Sequence, residues 1–536
     1  MSGLLDVIFD IQYNHIIPRL PFDSIKSYNL ICKVTNNIAT SYLLNNYTFV
    51  YNRNINNPKL IRSIKRLVVS DDYFIFFKNI RLFNLEKLIF GNDYDLAGEL
   101  PDNITDIIFG FSYNQPTKLP TNLKNLIVGT KYNRPTELPP NLLTLRFGDS
   151  YNQPTPLPFG IVYLKFGCDY NQDTPLPENI VDLTFGSEYN QPTNLPEKIK
   201  TLSFGFNYDQ LTSLPPNIVR LNLGCQYNRS TSLPPSIKYL KLSNKYSQTT
   251  PLPYKLIKLE FHACFNLPLE LPQNLTKLIC GYNYNQPTPL PCGLTWLTFG
   301  QNYNQLTELP HHLIKLTFGD HYNQATILPA NIKELTFGYH YNQATTLPTQ
   351  LTKLKFGRNY NQRTELPNSI LVLEFGSSYN QTTKLPDNLY RLVLGDMYDQ
   401  KTPLPDNITS LRFGSNYNQA TPLPNKIVNL TFGRNYNQDT PLPNKIVDLT
   451  FGYYYDQQTP LPNVITSLVF GHKYNQPTLL PDSITVLVFG HEYNQKTPLP
   501  PNIRTLKFGK EFIHFAAIPD NDFISVSLIY YSTGFN

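Results

Sequence analysis

The chain has 536 residues and a net charge of +6, from 45 Lys and Arg against 39 Asp and Glu, a surplus too small for this length to imply a nucleic-acid partner. Of its 46 prolines, 23 fall on one series from Pro101 to Pro519 in steps of 19, and 21 of its 26 glycines fall on a parallel series from Gly91 to Gly509. Helix and strand breakers recurring at so short a period exclude an ordinary multidomain enzyme over most of the length and define one repeat architecture.

Residues 1–50 stand outside the repeat. Leu4-Leu5-Asp6-Val7-Ile8, Ile16-Ile17-Pro18-Arg19-Leu20-Pro21 and Ile31-Cys32-Lys33 place apolar residues at helical spacing, broken by prolines. No basic stretch precedes Leu4, and Asp6 and Asp10 interrupt the apolar run, so no secretory leader is expected. A plain helical cap for the repeat array is one reading of this segment. The turn Leu20-Pro21-Phe22-Asp23-Ser24 and the later Ile31-Cys32-Lys33 also resemble an F-box. The opening proline of that motif is absent, and Thr35 stands where its tryptophan is usual. The resemblance implies docking on the Skp-type adaptor of a cullin–RING ubiquitin ligase. Leu4, Leu5, Ile8, Ile17, Leu20 and Ile25 would form the adaptor surface, with Pro21 setting the turn.

Residues 51–93 bridge to the array. Leu88-Ile89-Phe90-Gly91 is already repeat-like, but Tyr73 precedes Tyr94 by 21 residues, so the first turn is irregular. From Tyr94 the aromatic position steps by 19 to Phe512 without insertion or deletion. A clean copy runs from Leu404 to Pro422, with Leu404-Pro405, Asn407-Ile408, Leu411, Phe413-Gly414 and Tyr417-Asn418-Gln419. Uniform length over that distance is expected of a solenoid in which each repeat is one turn stacked on its neighbours. The alternation x-Leu-x-Phe predicts a short strand with one buried face, and stacked strands predict one parallel sheet advancing about 4.8 Å per turn. About a dozen residues remain for the return, ending at Leu-Pro, which leaves no room for a helix and predicts an extended or polyproline-like far side. Glycine after Phe fits a sharp corner or a positive φ. Asn-Gln after Tyr can form side-chain ladders from turn to turn.

The run Phe-Gly-x-x-Tyr-Asn-Gln-x-Thr-x-Leu-Pro-x-Asn-Ile-x-x-Leu resembles the FNIP repeat, a member of the leucine-rich-repeat class found in amoebae and in giant viruses that infect them. Tyr replaces Phe in the aromatic slot, and the regular Asn of the general leucine-rich motif is displaced by two residues. The expected fold is mainly β: a leucine-rich-repeat-like solenoid of 19-residue turns over 94–519, preceded by a small helical F-box-like domain. The joint resemblance implies a substrate-recognition subunit acting in the cytoplasm, on host proteins if the chain is viral. The alternative is a binding or structural solenoid with no ligase link. After Phe512 the pattern fails, and Ile524-Ser525-Val526-Ser527-Leu528-Ile529-Tyr530 alternates, so 520–536 is expected to cap the last strand.

Target binding belongs to the residues flanking the strand leucine, which face away from the core. One flank reads Arg220, Tyr239, Lys258, Lys277, Trp296, Lys315, Glu334, Lys353, placing the only tryptophan among lysines. Lys258, Lys277, Trp296, Lys315 and Lys353 are therefore the candidate target-binding residues, suited to an acidic partner. The glycine series breaks nearby, at Ser243 and His262, and Phe265, Leu267 and Cys280 depart from the consensus, as a site or as drift in a tolerant array. His321 and His340 share one repeat position, as do His472 and His491, but no third ligand stands in register, so no metal and no cofactor is expected. No nucleophile–base set or phosphate-cradling loop appears, so no enzyme is expected. Six cysteines without a CxxC pair read as reduced thiols, and no apolar run approaches the ~18 residues of a membrane span.

Overall fold

The computed structural model describes residues 49–51, 65–69, 85–97, 100–247, 251–509 and 525–528. The F-box-like positions Leu4, Leu5, Ile8, Ile17, Leu20, Pro21 and Ile25 lie outside the described residues. The chain divides into two compact units, Met1–Lys255 and Leu256–Asn536.

In unit 1, β1 (Phe49–Tyr51), β2 (Arg66–Val69) and β3 (Lys87–Phe90) are followed at the 19-residue step by eight more strands, from β4 (Asp106–Ile108) to β11 (Tyr239–Leu242). Each pairs in parallel with the next; the first steps are irregular, Phe49 opposing Leu67 and Arg66 opposing Lys87. Unit 2 opens with β12 (Lys258–Phe261), β13 (Lys277–Ile279), β14 (Trp296–Thr298), β15 (Lys315–Thr317) and β16 (Glu334–Thr336). It continues through β17 (Lys353–Lys355), β18 (Val372–Glu374), β19 (Arg391–Val393) and β20 (Ser410–Arg412) to β25 (Thr505–Phe508) and β26 (Ser525–Leu528). The tail strand joins β25 in parallel, Thr505 opposite Ser525, so it adds one further strand at a spacing of 20. No helix occurs among the described residues.

One turn, Gly319 to Phe337, shows why this sequence closes on itself. Tyr322 N–H donates to the Gly319 carbonyl at 3.2 Å, and Ile332 N–H to the Pro329 carbonyl at 3.4 Å, folding the corners at either end of the return. Beyond the second corner Leu335 and Phe337 point inward with Ile332 and Tyr322, none more than 3% exposed. Each such side chain contributes about 1.5–3 kcal/mol by burial. Stacked turns align these residues in columns: Tyr322 lies 6.3 Å from Tyr341, and Phe318 lies 5.7 Å from Phe337 and 4.4 Å from its own Tyr322.

The polar consensus residues close the remaining donors. Asn304 Oδ1 accepts from Asn323 N–H at 3.0 Å and from Gln324 Nε2 at 3.1 Å on the next turn, the expected ladder. Asn331 Nδ2 donates to the His311 carbonyl at 2.9 Å, a second ladder on the return side. The Tyr322 hydroxyl bonds to Thr326 Oγ1, which also donates to the Gln324 carbonyl at 3.0 Å. The consensus threonine thus satisfies a buried phenol, a role that sequence reading leaves unassigned.

At the glycine column the sharp corner stands and the positive φ does not. No described glycine has a positive φ. Its cause is close approach: a Cβ on Gly319 would lie 1.7 Å from the Gly300 carbonyl oxygen, and one on Gly357 1.6 Å from that of Gly338. Two turns lack the glycine. Ser243 belongs to the last turn of unit 1, where its hydroxyl bonds the Tyr227 carbonyl, and His262 follows the first strand of unit 2.

Candidate protein-binding face

A three-residue strand with its middle leucine buried leaves its first and third residues outward, and the parallel register aligns them from turn to turn. In unit 2 the first positions form one column: Lys258, Lys277, Trp296, Lys315, Glu334, Lys353, Val372, Arg391. All five candidate target-binding residues stand in it. The third positions form a neighbouring column that includes Lys355, Glu374 and Arg412.

Trp296 is half-buried rather than freely presented. The Lys277 ammonium, one turn before, lies 2.9 Å from its ring centre, and the Lys315 ammonium, one turn after, 4.6 Å. Its indole Nε1 donates to Thr298 Oγ1 at 3.3 Å. Trp296 is therefore held between two cations whose charge its ring face partly offsets. Lys315 also reaches Glu334 at 2.9 Å, and Lys353 approaches the same carboxylate at 3.3 Å. The Lys315 bond, supplemented by Lys353 and opposed by partial burial, holds the Glu334 carboxyl below the ordinary range. A second triad pairs Glu374 with Lys355 at 3.3 Å and with Arg391 at 3.5 Å. Burial, then the neighbouring Lys258 and Lys315, push the Lys277 ammonium below the usual lysine range. Lys258 is itself paired with Glu260 at 2.9 Å.

The flank read from the sequence ends at Lys353. Beyond that flank, Glu374, Lys355 and Arg391 complete the electrostatics, and the same 19-residue step carried two turns further finds Arg391. That each glutamate bridges two cations depends on side-chain reach across turns, which spacing alone does not give.

The histidines make stacks. His321 and His340 lie 5.1 Å apart, and His472 lies 4.9 Å from His491 with planes within 3°, and 4.4 Å from Tyr453. Parallel imidazoles direct their lone pairs along parallel lines, a geometry unsuited to closing on one metal ion. Among the described residues no group of three or more His, Cys, Asp and Glu could hold a metal, and no helix is long and apolar enough to cross a membrane.

Turns of uniform length, a parallel sheet in each unit and an aligned outward face define a leucine-rich-repeat-type solenoid, an architecture suited to protein interaction. The chain belongs to the FNIP repeat family: the FNIP Repeat pattern matches 113–150, 132–169, 170–207, 284–321, 341–378, 398–435, 417–454, 455–492 and 474–511, together just over half the chain. Among solved structures it is similar to CroV588, described as a circular leucine-rich-repeat protein, with 30% identity over 88% of this chain and 87% of that one and a TM-score of 0.67. It also matches YopM from Yersinia enterocolitica WA-314 at 19% identity, covering 77% of this chain and 98% of that one, with a TM-score of 0.43. No curated protein matches the chain.

Proposed function

We propose that the chain is a non-catalytic recognition protein whose outward strand face in unit 2 holds a target protein. One observation carries this reading: from Lys277 to Arg412 that face sets six cations, Lys277, Lys315, Lys353, Lys355, Arg391 and Arg412, against two acids, Glu334 and Glu374, around the chain's only tryptophan. Such a face attracts an acidic partner by long-range charge and gives it an aromatic contact on arrival.

We further propose that the head connects this target to ubiquitin transfer. Leu20-Pro21-Phe22-Asp23-Ser24 and Ile31-Cys32-Lys33 support docking on a Skp-type adaptor of a cullin–RING ligase. The mechanism is then proximity: the array raises the effective concentration of a target lysine beside the charged conjugating enzyme, in the cytoplasm. A solenoid with no ligase link is the alternative, and the head decides between them. Because β1 begins at Phe49, removal of residues 1–50 would cut into the sheet. The test is therefore Leu20→Glu in the full chain, followed by adaptor capture. Loss of capture with unchanged circular dichroism is expected; undiminished capture leaves the binding solenoid alone.

A further inference from the structure

We propose that the outward face from β13 to β19 binds an extended acidic segment of a partner protein, laid across the strands as a polyproline II helix with a carboxylate at every third residue. The inference rests on the reading of this face as the target site and names the chemistry of what it holds.

The first-position column alternates. Lys277, Lys315, Lys353 and Arg391 place a cation on every second turn, with Trp296, Glu334 and Val372 on the turns between. Parallel strands stand about 4.8 Å apart, so successive cations recur at about 9.6 Å. Polyproline II has three residues per turn and rises about 3.1 Å per residue, so its third residues share one face at about 9.3 Å. From Lys277 to Arg391 the mismatch accumulates to only about 1 Å. An α-helix repeats its face after seven residues at about 10.5 Å and drifts by about 3 Å over the same span. A β-strand turns its third residue to the opposite face.

The turns between the cations fit the same occupant. Val372 is a half-buried apolar surface on which a proline ring can lie, and Trp296 offers a second wherever an arriving carboxylate draws the Lys277 or Lys315 ammonium off its ring, the means by which aromatic grooves hold polyproline II segments. Glu334 is already bonded to Lys315 and Lys353, so it tolerates an uncharged neighbour better than a further anion. A nucleic-acid strand carries a charge about every 3.4 Å of duplex axis and would set phosphates against Glu334 and Glu374. A carboxylate at every third residue meets cations on this column and leaves its acid opposite uncharged positions.

Trp296 is the sole tryptophan, so its emission reports occupancy of this face in the full-length protein. The probes are a peptide of four Glu-Pro-Pro units, a peptide of the same composition with its glutamates contiguous, and an oligothymidylate. The periodic peptide is expected to shift Trp296 emission and to bind roughly tenfold tighter than the contiguous one. Lys315→Glu combined with Lys353→Glu is expected to abolish that binding. Equal affinity for both peptides, lost in the double variant, overturns the polyproline II occupant while leaving the acidic-target reading intact. No emission change with either peptide, or binding that survives the double variant, overturns both. Tighter binding of the oligothymidylate overturns the inference in favour of nucleic acid. The comparison of the two peptides on the unaltered chain stands whatever the folding of the variant.

Discussion

Unit 1 and unit 2 share a turn but not an outward face. On the strands from β4 to the one beginning at Arg220, unit 1 carries Asp106, Arg146, Lys165, Asp182 and Arg220, with signs mixed and only Arg146 and Lys165 side by side. Its cross-turn contacts are largely neutral or amide-based: Asn125 Nδ2 donates to Asp106 Oδ1 at 2.9 Å, and Asn222 Nδ2 to Ser203 Oγ at 2.9 Å. Unit 2 instead gathers like charge along β13–β20 and relieves it with two bridging glutamates and an indole. The interiors are nearly interchangeable: Ile180, Leu183, Phe185 and Tyr189 of unit 1 are as buried as Ile332, Leu335, Phe337 and Tyr341 of unit 2. The inner columns hold the fold, so outward positions diverge at little cost in stability, and divergence of charge there is where function is read.

The largest effect should treat both units alike. Burial raises the Tyr170 phenol of unit 1 and the Tyr360 phenol of unit 2 to about 12, each opposed by its threonine bond. An unfolded tyrosine ionises near pH 10, so above that pH the unfolded chain binds fewer protons than the folded one. Stability is full below about pH 10 and falls as pH rises toward 12, steeply because the tyrosines repeat along the array. Alkaline titration should show the phenolate absorbance of the buried column and the loss of strand dichroism in one step, over and above the phenolate of exposed tyrosines such as Tyr163 and Tyr254. Phenolate in excess of those exposed tyrosines appearing near pH 10 with the strands intact would mean that the tyrosine column is open to water.

Next in size is the glycine column. A Cβ on Gly186 of unit 1 would come within 1.5 Å of the Gly167 carbonyl oxygen, as one on Gly357 of unit 2 would on Gly338 at 1.6 Å. Gly186→Ala and Gly357→Ala should each cost more than about 4 kcal/mol in denaturant unfolding. A tolerated alanine in one unit alone would show that the turns are spaced differently there.

The face and the core of one strand are then separable. Phe299 is 4% exposed and stacks on Tyr303 at 4.1 Å, so Phe299→Ala should cost about 3 kcal/mol of stability and affect binding only through folding. Trp296→Ala should instead weaken target binding by about 2 kcal/mol and leave the melting temperature nearly unchanged. The reverse result would put the outward column one residue out of register.

Much of the fold is legible in the residues themselves. The 19-residue step and the Leu-x-Phe alternation are backbone periodicities, and they place strand, core and face directly. The features that are not legible depend on distances between turns. Glycine admits both a positive φ and a close carbonyl, and only the packing of Gly319 on Gly300 distinguishes them. Trp296 reads as an exposed anchor, but lysine side chains long enough to fold back from adjacent turns cover it.

The smallest expected effect belongs to two lysines of the outward faces. Lys165 of unit 1 and Lys353 of unit 2 are both exposed lysines on outward strand positions. Neither supports the core, so Lys165→Ala and Lys353→Ala should each move stability by no more than about 0.5 kcal/mol. Their difference lies in setting: Lys353 shares Glu334 with Lys315 at 3.3 and 2.9 Å and continues a column of cations, whereas Lys165 has Arg146 and Thr184 as its register partners. Removing Lys353 should slow association with an acidic target and flatten its dependence on salt, because steering scales with accumulated like charge and is screened within about 10 Å at 0.1 M. Removing Lys165 should change neither. Stopped-flow association across a salt series separates the two cases: equal slowing by both would mean that the array attracts its partner by net charge, with no privileged face, whereas slowing by Lys353→Ala alone locates recognition on unit 2.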